Sequence, residues 1–247
     1  YTAGTITHTY NAGNSGTTID PVISFGDTND TGVLTNVTHT ASSRSDLIDV
    51  PQWGNMEFSR YSFQDRFVAC NNSRFQISAT DAPNIETPNL NMRRLFRYAN
   101  PAFNSDISHW NADVGNSFEL AFTDITSFNQ SLNSWDVSNA INLYGVFYGA
   151  SSFDQYLGDW DIQTSGLFLF RNSGMSTANY TDTFVSWANK VYNNSGPYTL
   201  NFGTQSGMTF DRGRTYSSGN FTTAGAARDY LTGATANWTI TGDTEIP

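Results

Sequence analysis

At 247 residues the chain has room for one large domain or two small ones, and for a substantial core. Aromatic residues make up 15% and charged residues only 14%, which excludes disorder, because disordered chains lack the apolar groups that offset ordering entropy. A net charge of −10 with a single lysine, Lys190, excludes a phosphate-backbone binder, which needs clustered cations for counterion release.

No apolar run approaches the ~20 residues of a membrane-spanning helix. The chain opens on Tyr1 with neither Met nor a signal-peptide pattern, which reads as a processed or excised product. Residues 1–66 are expected to form a β-rich N-terminal cap. Their Thr-, Gly- and Asn-rich stretches carry β-branched alternation, as in Thr5-Ile6-Thr7 and Val22-Ile23-Ser24-Phe25, so short strands between turns are expected. Asp27-Thr28-Asn29-Asp30-Thr31-Gly32 copies the first half of a calcium-binding EF-hand loop, but its twelfth position is Thr38 and not Glu. A polar β-turn explains the same letters, and calcium there stays open. Six arginines lie at 60, 66, 74, 93, 94 and 97 and are expected to pair with nearby acids.

From residue 67 to 175 the chain repeats itself. Phe103, Phe128 and Phe153 are 25 residues apart, as are Ile107, Leu132 and Leu157, and Trp110, Trp135 and Trp160. Phe118, Leu143 and Phe168 keep the same phase, followed by Ile125, Ala150 and Met175. Polar columns run between them: Asn104, Asn129, Asp154, and Asn111, Asp136, Asp161. Such agreement over three copies identifies a solenoid, whose units bury their apolar faces against one another. Within a unit, Phe118 with Phe122 and Leu143 with Phe147 stand at helical spacing, so a short helix is expected after each polar turn, altered in the third copy.

Stacked coils would place equivalent residues about 5 Å apart, so the Asn/Asp columns are read as turn-makers whose oxygens accept backbone N–H groups. Residues 103–162 hold eight acids and no Lys or Arg, an acidic belt. Upstream, Phe96 precedes Phe103 by seven positions where Phe122 and Phe147 precede theirs by six, which suggests one inserted residue near Pro101 in a degenerate unit. Phe67 to Asn72 resembles a still earlier helix end and turn.

Residues 176–247 are expected to form an α+β C-terminal cap. Ser176 opens an amphipathic helix running to about Lys190, with Tyr180, Phe184, Trp187 and Val191 on its apolar face. Residues 198–218 read as a pair of strands or loops, Ala224 to Leu231 as a second helix stopped by Gly233, and Trp238-Thr239-Ile240 as a last strand.

Phe128-Asn129-Gln130-Ser131-Leu132, followed by Trp135-Asp136-Val137-Ser138-Asn139, resembles the repeat of the BspA-type leucine-rich repeat surface proteins, the group carrying domain of unknown function 285. Gly4 to Tyr10, Gln52-Trp53-Gly54, Ser173 to Tyr180, and the ending Trp238 to Asp243 are similar to stretches outside the repeats of such chains. The first copy departs from the pattern at Asn111-Ala112-Asp113-Val114, and the third ends early. The resemblance implies a surface-displayed chain. Such proteins occur on bacterial cells, where they are associated with adhesion, and similar chains occur among exposed virion proteins of marine bacteriophages, to which this chain looks closer.

Enzyme motifs are absent: no G-x-S-x-G, H-E-x-x-H, G-x-G-x-x-G or P-loop occurs. Cys70 is a lone core thiol on this reading, since His8, His39 and His109 are scattered. Asp159 and Asp161 would make a glycosidase pair only if they shared a face, and strand alternation points them apart. Sequons at Asn36, Asn129, Asn179 and Asn237 follow from composition.

The expected fold is α/β: a short leucine-rich-repeat-like solenoid of about 25-residue coils over 67–175, between caps at 1–66 and 176–247. The expected function is non-catalytic: a surface-exposed structural or recognition module, a phage fibre, tail or capsid-decoration protein acting in attachment, with a bacterial adhesin or a purely architectural virion subunit as alternatives. Expected partners are other virion or cell-surface proteins and a host glycan or protein receptor, with no nucleic acid and no membrane span; an oligomer is compatible. No catalytic, cofactor-binding or metal-binding residue is assigned, no cofactor is expected, and the contact residues on the exposed faces are not identified.

Overall fold

The computed structural model describes residues 49–50, 53, 64–65, 67–71, 73–83, 90–110, 115–194, 196 and 199–247. Across them the chain is a mixed α/β structure of few helices and short parallel strands. Strand β1 (Leu90–Asn91) pairs with β2 (Gly115–Ser117), and Ser117 bridges onward to Asn142. Helix α1 (Thr177–Asn194), β3 (Asn201–Thr204), β4 (Thr209–Asp211), α2 (Ala224–Thr232), β5 (Thr239–Thr241) and β6 (Thr244–Ile246) follow. β3 pairs in parallel with β5, and β4 with β6. The strands expected at Thr5–Thr7 and Val22–Phe25, and the Asp27–Gly32 loop, lie outside the described residues.

The 25-residue copies lie on one another, and their aromatic columns become stacks. Phe103, Phe128 and Phe153 are buried with ring centroids 6.1 and 6.2 Å apart and planes within 3° of parallel. A second stack runs through Phe96, Phe122, Phe147 and Phe170 at 5.5, 5.7 and 6.0 Å. The stacks touch inside each copy, at 4.5 Å for Phe96 and Phe103, 4.6 Å for Phe122 and Phe128, and 3.8 Å for Phe147 and Phe153. Each such ring stabilises the fold by about 1.5–3 kcal/mol through burial alone. The extra residue between Phe96 and Phe103 is taken up in a turn where Asn100 Oδ1 accepts from the amide of Ala102, leaving the ring contact intact. Phe67 stacks on Phe96 and Phe75 on Phe103, both at 5.2 Å, so the degenerate upstream segment is one more copy.

The short helices expected inside the copies do not form; a ribbon of overlapping turns stands in their place. The amides of Phe118, Leu120, Phe122 and Asp124 donate to the carbonyls of Asn142, Tyr144, Val146 and Tyr148 in the next copy. The amides between them, of Ala121, Thr123 and Ile125, donate to carbonyls three residues back. A helix would send every N–H to its own fourth-preceding carbonyl and leave none for the neighbour. The ribbon needs a left-handed residue at every fourth position: Leu120 (φ 57°) and Asp124 (62°), then Gly145 (58°) and Gly149 (70°), then Phe168 (58°) and Asn172 (56°). For a non-glycine residue this costs about 1–3 kcal/mol, set against an amide paired between copies. The third copy is shortened by two residues, so Phe168 stands not with Phe118 and Leu143 but at the left-handed position of Leu120 and Gly145, Phe170 continues the second stack, and Ser173 rather than Met175 takes the place of Ala150. Phe168 sits half-buried with its ring against Tyr144.

Of the column Asn111, Asp136 and Asp161, Asn111 lies outside the described residues, Asp136 makes the expected turn, Oδ1 accepting from the amide of Ser138 at 2.8 Å, and Asp161 Oδ1 instead accepts from Gln163 Nε2. Asp106, off both columns, makes such a turn with the amide of Ser108 at 2.9 Å. Those Ser108 bonds hold the Asp106 carboxyl below its usual range. The Asn104 column is not turn-making but bridges copies. Asn104 Oδ1 accepts from the amide of Asn129 (2.8 Å) and from Gln130 Nε2 (3.0 Å), and Asn129 Oδ1 accepts likewise from Asp154 N and Gln155 Nε2, both at 2.8 Å. Asp154 Oδ1 then accepts from Ser176 N (2.7 Å) and Asn179 Nδ2 (2.9 Å).

Helix α1 therefore docks as a substitute copy. Trp135 and Trp160 donate their indole N–H to Ile107 O (3.3 Å) and Leu132 O (2.8 Å), and Trp187 of α1 makes the same bond to Leu157 O at 3.0 Å. Ser176 caps the helix, Oγ accepting from Asn179 N, and Tyr180, Phe184, Trp187 and Val191 are buried as their spacing predicts. The helix runs to Asn194, four residues past the expected end at Lys190. The stacking continues beyond it, with Phe202 against Trp187 at 5.8 Å and the amide of Phe168 donating to Phe202 O. Helix α2 begins one residue after its cap Thr223, as expected, and strand β6 is an addition to the single last strand that the sequence indicated.

A buried ion pair joins α2 to the chain end. Arg228 Nη2 lies 2.9 Å from both Asp243 oxygens, and both side chains are 3% exposed. Tyr180 donates its hydroxyl to Asp243 Oδ2 at 3.0 Å, and burial, with the Asp243 charge second, raises that phenol well above its usual pKa.

Two predictions follow from these contacts. A Cβ at Gly149 would run into the Asp124 carboxylate at positive φ, so Gly149→Ala is expected to cost about 1–3 kcal/mol. Adding Asp124→Gly should recover part of that loss in a thermal-denaturation double-mutant cycle. Because the folded state holds the Tyr180 proton more tightly than the unfolded chain, its stability contribution is complete below about pH 10 and falls as pH rises beyond it. Tyr180→Phe should lose about 1 kcal/mol at pH 7 yet decline less steeply above pH 10, measured by denaturant titration.

Candidate functional site

The two ring stacks and the side chains of Asn104, Asn129 and Asp154 are committed to neighbouring copies. What faces outward is set by residues off those columns. Where the turn ribbons begin, Glu119 of one copy, Ile141, Asn142 and Tyr144 of the next, and Thr164, Ser165 and Leu167 of the third surround an open groove of about 490 Å³. Ile141 is 70% exposed and Tyr144 37% exposed.

The groove walls are tied down. Glu119 Oε1 pairs with Arg93 Nε at 2.9 Å, and Oε2 accepts from Asn142 Nδ2 at 3.0 Å. Asn142 Oδ1 in turn accepts from Tyr144 N at 2.9 Å, an Asx turn that starts the ribbon. Phe168 meets the Tyr144 ring edge-on, with centroids 5.6 Å apart and planes at 72°. Thr164 Oγ1 donates to Ile141 O at 3.3 Å, and Ser165 Oγ accepts from Asn201 N at 2.9 Å. The lining supplies one paired carboxylate, three hydroxyls and an aromatic face, with no His or Cys. Such a set can bind and orient a ligand; it presents no nucleophile with a base beside it.

The residues weighed for chemistry in the sequence are not brought together. Cys70 is fully buried in the core. His109 is exposed, with Nε2 3.1 Å from Asp81 O, and His8 and His39 lie outside the described residues. Asp159 Oδ2 accepts from Asn133 Nδ2 at 2.6 Å, whereas Asp161 Oδ1 accepts from Gln163 Nε2 at 2.8 Å, so the two carboxylates have separate partners. Lys190 donates to the Asp159 backbone oxygen. Of the six arginines, Arg93 pairs with Glu119 and Arg94 with Asp65, as expected; Arg97 lies over the Tyr98 ring, and Arg60 and Arg66 fall outside the described residues. Among the sequons, Asn36 is outside them, and the side chains of Asn129 and Asn179 belong to the ladder between copies.

Among the described residues no group of three or more His, Cys, Asp or Glu is placed to hold a metal ion, and no helix is long and apolar enough to cross a membrane. No repeating column of the sequence marks the groove. Its signal was there in Ile141 and Tyr144, apolar letters that belong to none of the repeating columns and so are not needed in the core.

Residues 61–180 match the model of a family described as a Mycoplasma protein of unknown function, DUF285. No curated protein and no solved structure matches the chain.

With Cys70 closed off by the Phe67 turn, its thiol should react with an aromatic disulfide reagent only as fast as the chain opens. Native reaction at the rate of the unfolded protein would overturn its placement.

Proposed function

We propose that the chain is a non-catalytic, surface-exposed recognition module. In this reading it is a BspA-type, leucine-rich-repeat-like solenoid of about 25-residue coils, closed by 1–66 at one end and 176–247 at the other. Its place is on a phage particle, as a fibre, tail or capsid-decoration protein acting in attachment. The supporting observation is the division of labour among side chains. The ring stacks and the Asn104, Asn129 and Asp154 side chains are consumed in holding copies together, while Ile141 and Tyr144 stand exposed over a preorganised groove that crosses three copies. A rigid scaffold with a shallow site suits attachment by many copies, each binding weakly, since avidity multiplies modest single-site affinities. The likeness of the Phe128–Asn139 stretch to surface-displayed repeats supports the exposed location.

Particle fractionation tests the location. An antibody to the chain is followed through a density gradient that separates intact virions, cell envelopes and soluble protein. Banding with virions at fixed copy number is the expected result. Banding with envelopes would replace the virion with a bacterial cell-surface adhesin, and recovery only as soluble protein would overturn both.

A further inference from the structure

Resting on that recognition reading, we propose that the groove between Glu119, Tyr144 and Leu167 binds a neutral oligosaccharide, with the Tyr144 ring as its stacking platform. Four observations converge on this ligand class. First, Tyr144 is exposed while its ring packs against Phe168 and its backbone is held by the Asx turn from Asn142. A fixed amphipathic ring offers contact area at little entropic cost, and a sugar ring presents a matching C–H face.

Second, the polar atoms around it are hydroxyls, an amide and a carboxylate with lone pairs to spare. Thr164, Ser165 and Tyr144 can each donate and accept, which is what sugar hydroxyls ask of a site. Third, the groove offers an ion of either sign no free partner. An anion finds no Lys or Arg in the lining, and Arg93 beside it is held by Glu119. A cation finds the one groove carboxylate already paired with Arg93 and Asn142. Fourth, the ribbon amides beside the groove are not offered to a peptide backbone. Those of Leu120 and Gly145 donate to Tyr144 O and Leu167 O of the next copy, and that of Tyr144 to Asn142 Oδ1. The groove volume of about 490 Å³ also falls within the roughly 300–1,000 Å³ of small-ligand sites.

The test is a heteronuclear NMR titration of the full chain with maltohexaose, cellohexaose, mannohexaose and chitohexaose, each at millimolar concentration. Hexalysine and an oligogalacturonate serve as charged probes. A saturable shift of the Asn142, Tyr144 and Leu167 amides with at least one neutral hexasaccharide is expected, and none with the charged probes. Tyr144→Ala should weaken that binding by about tenfold or more, while Tyr144→Phe keeps most of it. Ile141→Asp, at a position outside the core, is a second probe should Tyr144→Ala fail to fold; replacing the exposed apolar side chain beside the platform with a hydrated carboxylate should also weaken binding. Absence of saturable groove shifts with all four sugars would overturn the assignment, as would unchanged affinity in the variants or an equal response to hexalysine. These outcomes are independent of the density gradient: virion banding without sugar binding removes only the ligand, and sugar binding by a protein found only in solution removes only the virion.

Discussion

A segment packed between two like segments has to divide its amides between two demands. It must turn, which uses N–H groups locally, and it must bind its neighbour, which uses them across the gap. The ribbon around Phe122 meets both demands by alternation, one amide inward to its own turn and the next outward to the following copy. Several other features depend on that alternation. It forces a left-handed residue at every fourth position, and those positions are filled by Gly145 and Gly149 in one copy but by Leu120 and Asp124 in the one before. The glycines also make room, because the side chains of Leu120 and Asp124 lean over them from the preceding copy. Glycine and overhanging side chain are thus one device spread over two copies.

Because the ribbon tolerates no slip, changes of length are displaced to its ends. The residue inserted between Phe96 and Phe103 is absorbed by the Asn100 turn, and the shortening before Phe170 moves Phe168 out of the column of Phe118 and Leu143. The side-chain ladders obey the same rule. Asn104, Asn129 and Asp154 each cap the next copy's first amide and hold its following amide side chain. When the repeat gives way to α1, Asn179 and Trp187 restore the bonds that Gln155 and Trp160 made one copy earlier. A helix can therefore end the repeat without leaving the apolar face of the last copy open.

The repeating columns were legible in the sequence because recurrence at a fixed period is visible without knowing what touches what. So were α1 and α2, whose apolar spacing and caps are local signals. The turn ribbon was not. Leu143 and Phe147 at helical spacing carry the same letters in a helix and in a ribbon that brings alternate residues inward. Only Gly145 and Gly149, themselves four apart, spoke against a helix, and in the preceding copy Leu120 and Asp124 conceal even that. The bridging role of Asn129 was illegible for another reason. An Asn before a polar residue reads as a turn, and its partner, the amide of Asp154, lies a full copy away. Strand β6 was missed because a three-residue polar strand has no pattern of its own; it exists through pairing with β4.

The groove belongs to a third kind of information. Glu119, Tyr144 and Leu167 are spaced by 25 and then 23 residues, and nothing in their letters says that they meet. Stacking makes them neighbours, and the two-residue shortening of the third copy brings the Phe168 ring against the Tyr144 ring. In a perfectly regular stack the outward positions would repeat as a flat face. The irregularity breaks that face at one place and leaves a hollow there, with an aromatic ring standing at its rim. A repeat architecture is constrained at its columns by the need to pair every amide and fill every layer. Freedom to differ is left to off-column residues and to small changes in copy length, and in this chain both occur together at the same groove.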